Sequence, residues 1–169
     1  MTDITMPYAH TDATAAPAVW FLGGRATVRL TAEQTGGWLC VHDHRLPAGS
    51  ATPLHVHPDD DESFLILEGT LELVVGTERL TAGADDALHL PRGVPHAFRV
   101  TSPGGARVLI VGTPAGHERF FAAAGEPATG PGLPPTPAGP PDMGRMTAAA
   151  ELAGFQLLGP PPFAMEAGE

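Results

Sequence analysis

The chain has 169 residues, enough for one domain with a buried core, and 43% of them are hydrophobic. Nineteen acidic residues against nine basic ones, all arginine, give a net charge of −10, which argues against nucleic acid and against an anionic membrane surface as partners. The 21 glycines and 19 prolines, nearly a quarter of the chain, favour short strands and many turns over long helices.

Residues 1–18 read as a flexible arm. The arm has neither a basic start nor an apolar run, so it is not expected to be a signal peptide. No apolar run reaches the length of a membrane span, and the expected location is the cytoplasm. Val19–Leu22 and Ala26–Leu30 read as a strand pair around Gly23 and Gly24. Trp38–Leu46 reads as a strand with Trp38, Cys40, His42 and His44 on one face. If that face lines a barrel, His44 sits near the pocket and is a candidate proton carrier. If it faces out, both histidines are solvated. Cys40 is the single cysteine. It excludes an internal disulfide, offers no cysteine-based zinc site and is expected to pack inside.

The stretch Gly49–Gly69, GSATPLHVHPDDDESFLILEG, carries the chemistry. Side chains two apart in a strand share a face, so His55 and His57 point the same way. Pro58 and Asp59–Asp61 make a solvated turn. Glu62 opens the next strand and can fold back beside the two rings. Two imidazoles and a carboxylate converging on one point make a site for a first-row metal. A fourth donor can be sought downstream, where His96 follows a Pro-x-Gly turn in LPRGVPHAF. Short strands at Leu71–Val75, Glu78–Thr81, Ala87–Leu90, Ala97–Val100 and Arg107–Val111 fit a meander in a barrel or sandwich. Phe64 and Ile66 share a face with Glu62, and Phe98 shares one with His96. These three are the expected apolar wall of a substrate pocket, and His89 is a further candidate for the cavity.

His117–Ala124 reads as a short helix with Phe120 and Phe121 at its apolar edge, stopped by Gly125. Residues 126–141 hold seven prolines and read as an extended wrapper. Asp142 suits the N-cap of a second helix over Met143–Ala153, ended by Gly154. Phe155–Leu158 is a candidate last strand. The expected organisation is an arm at 1–18, a β-barrel at 19–113, and C-terminal helices with a Pro-rich wrapping segment at 114–169.

Two segments together resemble the cupin family. Its first motif, G-x5-H-x-H-x3–4-E-x6-G, is filled by Gly49, His55, His57, Glu62 and Gly69. Pro91, Gly93 and His96 fill the middle of the second motif, G-x5-P-x-G-x2-H-x3-N. Its leading glycine falls on Asp85 and its closing asparagine on Val100, positions that shape turns and strand ends. The likeness covers residues 35–113. It implies an all-β fold, a small jelly-roll β-barrel with a short helical extension, and a centre of His55, His57, Glu62 and His96. Such a centre would take one divalent ion, with Fe, Ni, Co, Mn, Cu and Zn all admissible. Arms such as 1–18 pair with a neighbouring subunit in cupins, so a homodimer is implied.

A narrower likeness, over residues 19–162, is to bacterial single-domain cupins of the quercetin dioxygenase type. It rests on PLHVHPDDDE, LPRGVPHAFRV, GHERFFAAAGEPA, the Pro-rich run and LLGPPP. It implies a metal-dependent dioxygenase that uses O2 on a small enolic or phenolic aromatic, in secondary metabolism. In that scheme Glu62 is ligand, general base or both, and His44 assists proton movement. The same centre also supports a redox-neutral isomerase, lyase or cyclase. A cupin that binds a small molecule without turning it over is the third reading.

Overall fold

The computed structural model describes residues 8–136 and 139–163. The start of the expected arm, residues 1–7, lies outside them. Among the described residues twelve strands form two antiparallel sheets. The strands before the first C-terminal helix are β1 (Ala18–Phe21), β2 (Gly24–Leu30), β3 (Cys40–Leu46), β4 (Leu54–Val56), β5 (Asp61–Glu68), β6 (Thr70–Val75), β7 (Glu78–Gly83), β8 (Ala87–Leu90), β9 (His96–Val100) and β10 (Ala106–Thr113). The C-terminal segment adds β11 (Glu126–Pro127) and β12 (Gln156–Gly159). One sheet runs β11-β1-β2-β3-β10-β5-β8, and the other β12-β4-β9-β6-β7. This is the expected small all-β barrel.

Alternation builds the core. In β10, Ala106, Val108, Ile110 and Gly112 are buried while their neighbours are half-exposed. In β5, Glu62, Phe64 and Ile66 face in, and Leu65 faces out. Inward residues of both sheets, including Ile66, Leu71, Leu73, Phe98, Val100 and Val108, form one cluster. Gly69 turns β5 into β6 with φ near +83°, a left-handed value that favours glycine. A methyl there would strike the carbonyl of Gly105 and the backbone of Ala106.

The helices are α1 (Ala32–Thr35), α2 (His117–Ala124) and α3 (Met143–Ala153). The expected bounds of α2 and α3 agree with those observed. Asp142 caps α3 by accepting from the Arg145 N–H at 3.0 Å, and Gly154 closes it with φ near +86°. The short α1 is not expected from the sequence. Its signal is a capping box, with Thr31 and Gln34 satisfying each other's backbone N–H. The strand expected from Trp38 begins only at Cys40, and Trp38 is 81% exposed. At the start of the Pro-rich run, Glu126 and Pro127 pair with β1. Helices α2 and α3 pack through Phe120, Ala149, Ala150 and Phe155, a second cluster leaning on Phe21.

On the outer face of β3, Asp43 takes both neighbouring arginines. Arg107 donates to its two oxygens at 3.0 and 2.8 Å, and Arg29 donates at 2.7 Å. The Arg107 bonds hold the Asp43 carboxyl well below the usual carboxylate range; burial opposes this, and Arg29 reinforces it. A depressed folded pKa stabilises the fold above the unfolded value near 4, and that gain is lost as pH falls through the folded value. Asp43→Asn should therefore cost about 2 kcal/mol at neutral pH, a figure kept low because the arginines are partly solvated. Urea unfolding should show the gap to the unsubstituted protein narrowing as pH drops below about 4.

Candidate metal centre and its cavity

The two short strands β4 and β9 lie side by side with His55 directly opposite His96. His57 follows β4 on the same face as His55. Glu62 reaches the same point from β5, in the facing sheet. One donor atom from each of His55, His57, Glu62 and His96 lies within 4.8 Å of the others. The Nε2 of His96 sits 3.1 Å from Glu62 Oε2. All but His55 are buried.

The fit to a cation can be tested on the ring nitrogens. Nδ1 of His55 donates to the Pro53 carbonyl at 2.8 Å, and Nδ1 of His96 donates to the Val94 carbonyl at 3.1 Å. Nδ1 of His57 faces Asp60 Oδ2 at 3.3 Å. Each ring is thus oriented by an oxygen behind it, leaving Nε2 turned to the common point. Nε2 of His57 is buried and has no hydrogen-bond partner among the described residues. Such an atom, beside two more imidazoles and a carboxylate, offers a lone pair to a cation. These four residues can hold one divalent metal ion.

A fifth group carries no motif in the sequence. His117, the first residue of α2, donates from Nε2 to Asp60 Oδ2 at 2.8 Å and places Nδ1 3.4 Å from Glu62 Oε1. Its ring lies over His57, with centroids 4.5 Å apart. Burial works against its charge, but the two carboxylates outweigh burial and raise it to about 10. His117 is therefore an imidazolium at neutral pH. Burial pushes Glu62 up, yet the bonds from His117 and His96 carry it well below the usual range. Asp60 is depressed in the same way, by His117 and His57 against its burial. Burial drives His55 down to about 3, helped by His96. The sequence signals only that His117 opens a short helix, not where that helix packs.

His55, His57, Glu62 and His117 line a cavity whose empty space, open solvent at its mouth included, is ≈ 830 Å³. Six phenylalanines stand in its walls: Phe64 and Phe98 from the barrel, Phe21 from β1, and Phe120, Phe121 and Phe155 from the C-terminal segment. His44 lines it too. Of the residues expected there, Phe64, Phe98 and His44 are in place. Ile66 is not: it shares the face of Phe64 but lies one step deeper, fully buried in the barrel core. His89 is not in the cavity either. In β8 the inward positions are Leu88 and Leu90, so His89 turns outward, exposed, with Nδ1 3.2 Å from Ser63 Oγ. His42 and His44 are both buried. Burial lowers His42 to about 3 and His44 to about 4, so both rings are neutral at pH 7.

Residues 42–112 match the cupin domain family. Over 84 residues, 48% of this chain, the sequence is 38% identical to quercetin 2,3-dioxygenase of Bacillus subtilis. The chain spans about a quarter of that protein's length, 25%. Among solved structures, a variant of oxalate decarboxylase from Bacillus subtilis superposes with a TM-score of 0.56 at 21% identity, over 64% of this chain and 30% of the other. A sugar phosphate isomerase of the cupin superfamily from Silicibacter pomeroyi superposes with a TM-score of 0.55 at 21% identity, over 64% and 77% of the two chains. At such identity the two structures share a fold with this chain and carry no further weight.

Removing one donor should empty the centre. His57→Ala and His96→Ala should each lower metal affinity by more than the roughly 10–100-fold that a change behind the ligands costs. Elemental analysis after dialysis reads this directly. His89→Ala should retain the full metal content.

Proposed function

We propose that this chain, whose residues 42–112 form a cupin domain, is a metal-dependent dioxygenase acting on a small enolic or phenolic aromatic. The observation that carries the reading is the meeting of the His55, His57, Glu62 and His96 donor set with a cavity walled by six phenylalanines. The kinship of half the chain with a quercetin dioxygenase agrees with it. A flat ring fits a phenylalanine-lined slot by edge-to-face and offset contacts. A divalent ion bound by the four residues would supply Lewis acidity, favouring the anion of an enol or phenol.

The remaining work falls to the chain itself. Phe64, Phe98, Phe121 and Phe155 hold the ring and keep bulk water off the donor end. Glu62 accepts the proton of the substrate hydroxyl. One of its oxygens faces His96 and the other faces His117, so it is a weak base as it stands. To take a proton it must loosen from one of the two. His44 is neutral, and its Nε2 is buried with no partner among the described residues. It is placed to orient a hydroxyl on the cavity side. His117 and Asp60 hold Glu62 and His57 in position from behind.

Metal-loaded protein should consume O2 with a flavonol or another enolic aromatic, read with an oxygen electrode. Turnover under nitrogen with no O2 uptake would place the enzyme with redox-neutral cupins instead. Glu62→Gln should lower kcat on the order of 100-fold or more, a larger factor than its loss of metal affinity. Equal losses would make Glu62 a ligand alone. His44→Phe should act mainly on kcat, with the metal content retained.

A further inference from the structure

A second group of donors lies behind the cavity wall, between the start of β3 and the start of α2. Cys40 and His42 are two apart on β3 and share a face. Glu118 comes down on them from the first turn of α2. One donor atom of each lies within 4.8 Å of the other two. None of the three belongs to the barrel centre.

Three features set this group apart from ordinary packing. His42 is 0% exposed, and neither of its ring nitrogens has a hydrogen-bond partner among the described residues. A neutral imidazole always carries one N–H and one lone pair, so leaving both unused in the interior is unfavourable. Glu118 accepts from the Ala32 N–H through Oε1 at 2.9 Å, while its Oε2 is buried without a partner among the described residues. Cys40 is fully buried, its sulfur 3.9 Å from the Gly112 carbonyl and facing the backbone N–H groups of Gly116 and His117 at the start of α2, which favour the thiolate. Gly112 lies opposite Cys40 on β10. A methyl at Gly112 would come within 3.0 Å of the Cys40 sulfur and 2.9 Å of the His117 ring. Glycine there lets the start of α2 press onto β3.

We propose that Cys40, His42 and Glu118 form a second metal site, for a borderline-soft divalent cation of the zinc class. One thiolate, one carboxylate and one neutral imidazole balance a dication, so the loaded site adds no net charge to the interior. A monovalent soft ion would leave one negative charge unbalanced. Donors around tetrahedral zinc sit roughly 3.3–3.8 Å apart, so a short inward swing of Glu118 closes the site. Water takes the fourth position. A lone cysteine with one histidine beside it offers no zinc site within its own stretch of sequence; the fold brings Glu118 to Cys40 and His42. The ion would tie α2, which carries His117, Phe120 and Phe121, to the barrel. The inference does not depend on the proposed reaction.

Cobalt(II) tests it, because Cys40 is the chain's only sulfur donor of thiolate type. The barrel centre holds only nitrogen and oxygen ligands and cannot give a thiolate-to-cobalt charge-transfer band. The folded full chain and its His96→Ala variant are titrated with cobalt and followed in the near ultraviolet. The expected result is a charge-transfer band in both proteins, saturating at one ion per chain, bleached by added zinc. Glu118→Gln, at the partly exposed start of α2, should weaken that binding on the order of 10-fold or more, and Cys40→Ser should abolish the band. Cobalt bound without the band overturns the proposal, as does a band that Glu118→Gln leaves at full affinity. If the band survives in His96→Ala while metal at the barrel is lost, the two sites are separate. The unsubstituted protein alone decides the question if Cys40→Ser does not fold.

Discussion

The whole centre hangs on one register: His55 of β4 opposite His96 of β9. Strand β4 is only three residues long and contributes one paired position to β9. A slip of one residue would turn every side chain of β4 to the other face and scatter the donors. The register is fixed from outside. β12 pairs with β4 on its other edge, Leu157 opposite His55. On the far side of β9, β6 holds five residues in register, with Val75 opposite His96. The donors converge because a very short strand is clamped between a long neighbour and a strand from the end of the chain.

The facing sheet adds the carboxylate, and α2 adds the charge that governs it. Glu62 lies between His96, a donor in the barrel, and His117, a cation on a helix. His117 faces both Asp60 and Glu62, so the carboxylate that would help hold a cation is the one that also receives α2. Metal affinity and the seating of α2 are for this reason coupled, though they sit on different parts of the chain.

Much of this architecture is legible in the amino-acid sequence. Period-two spacing places His55 with His57 and Phe64 with Glu62, because strand alternation is local. Asp142 and Gly154 bound α3, and Gly125 stops α2, for the same reason. Sequence pattern falls short where depth or distance decides the outcome. Ile66 has the parity of Phe64, but parity does not say how far along the barrel axis a side chain sits. His89 points away from the cavity because its pairing with β5 sets which face of β8 turns inward. Trp38 has the composition of a strand residue, yet the turn at Gly36 and Gly37 delays the strand to Cys40. His117, Phe120, Phe121 and Phe155 reach the cavity only through the return of the C-terminal segment, and no spacing rule announces that return.

That return also settles how the two sheets end. β11 lies at the outer margin of one sheet and β12 at the outer margin of the other. Both come from beyond residue 113, so the tail works as a hem on each sheet. An open margin is a row of unpaired backbone N–H and C=O groups, a template for another chain. Without the hem, β1 and β4 would present such rows. By laying β11 over β1 and β12 over β4, the tail fills with its own strands one margin of each sheet where a neighbouring chain could otherwise pair, while β8 and β7 end the opposite margins.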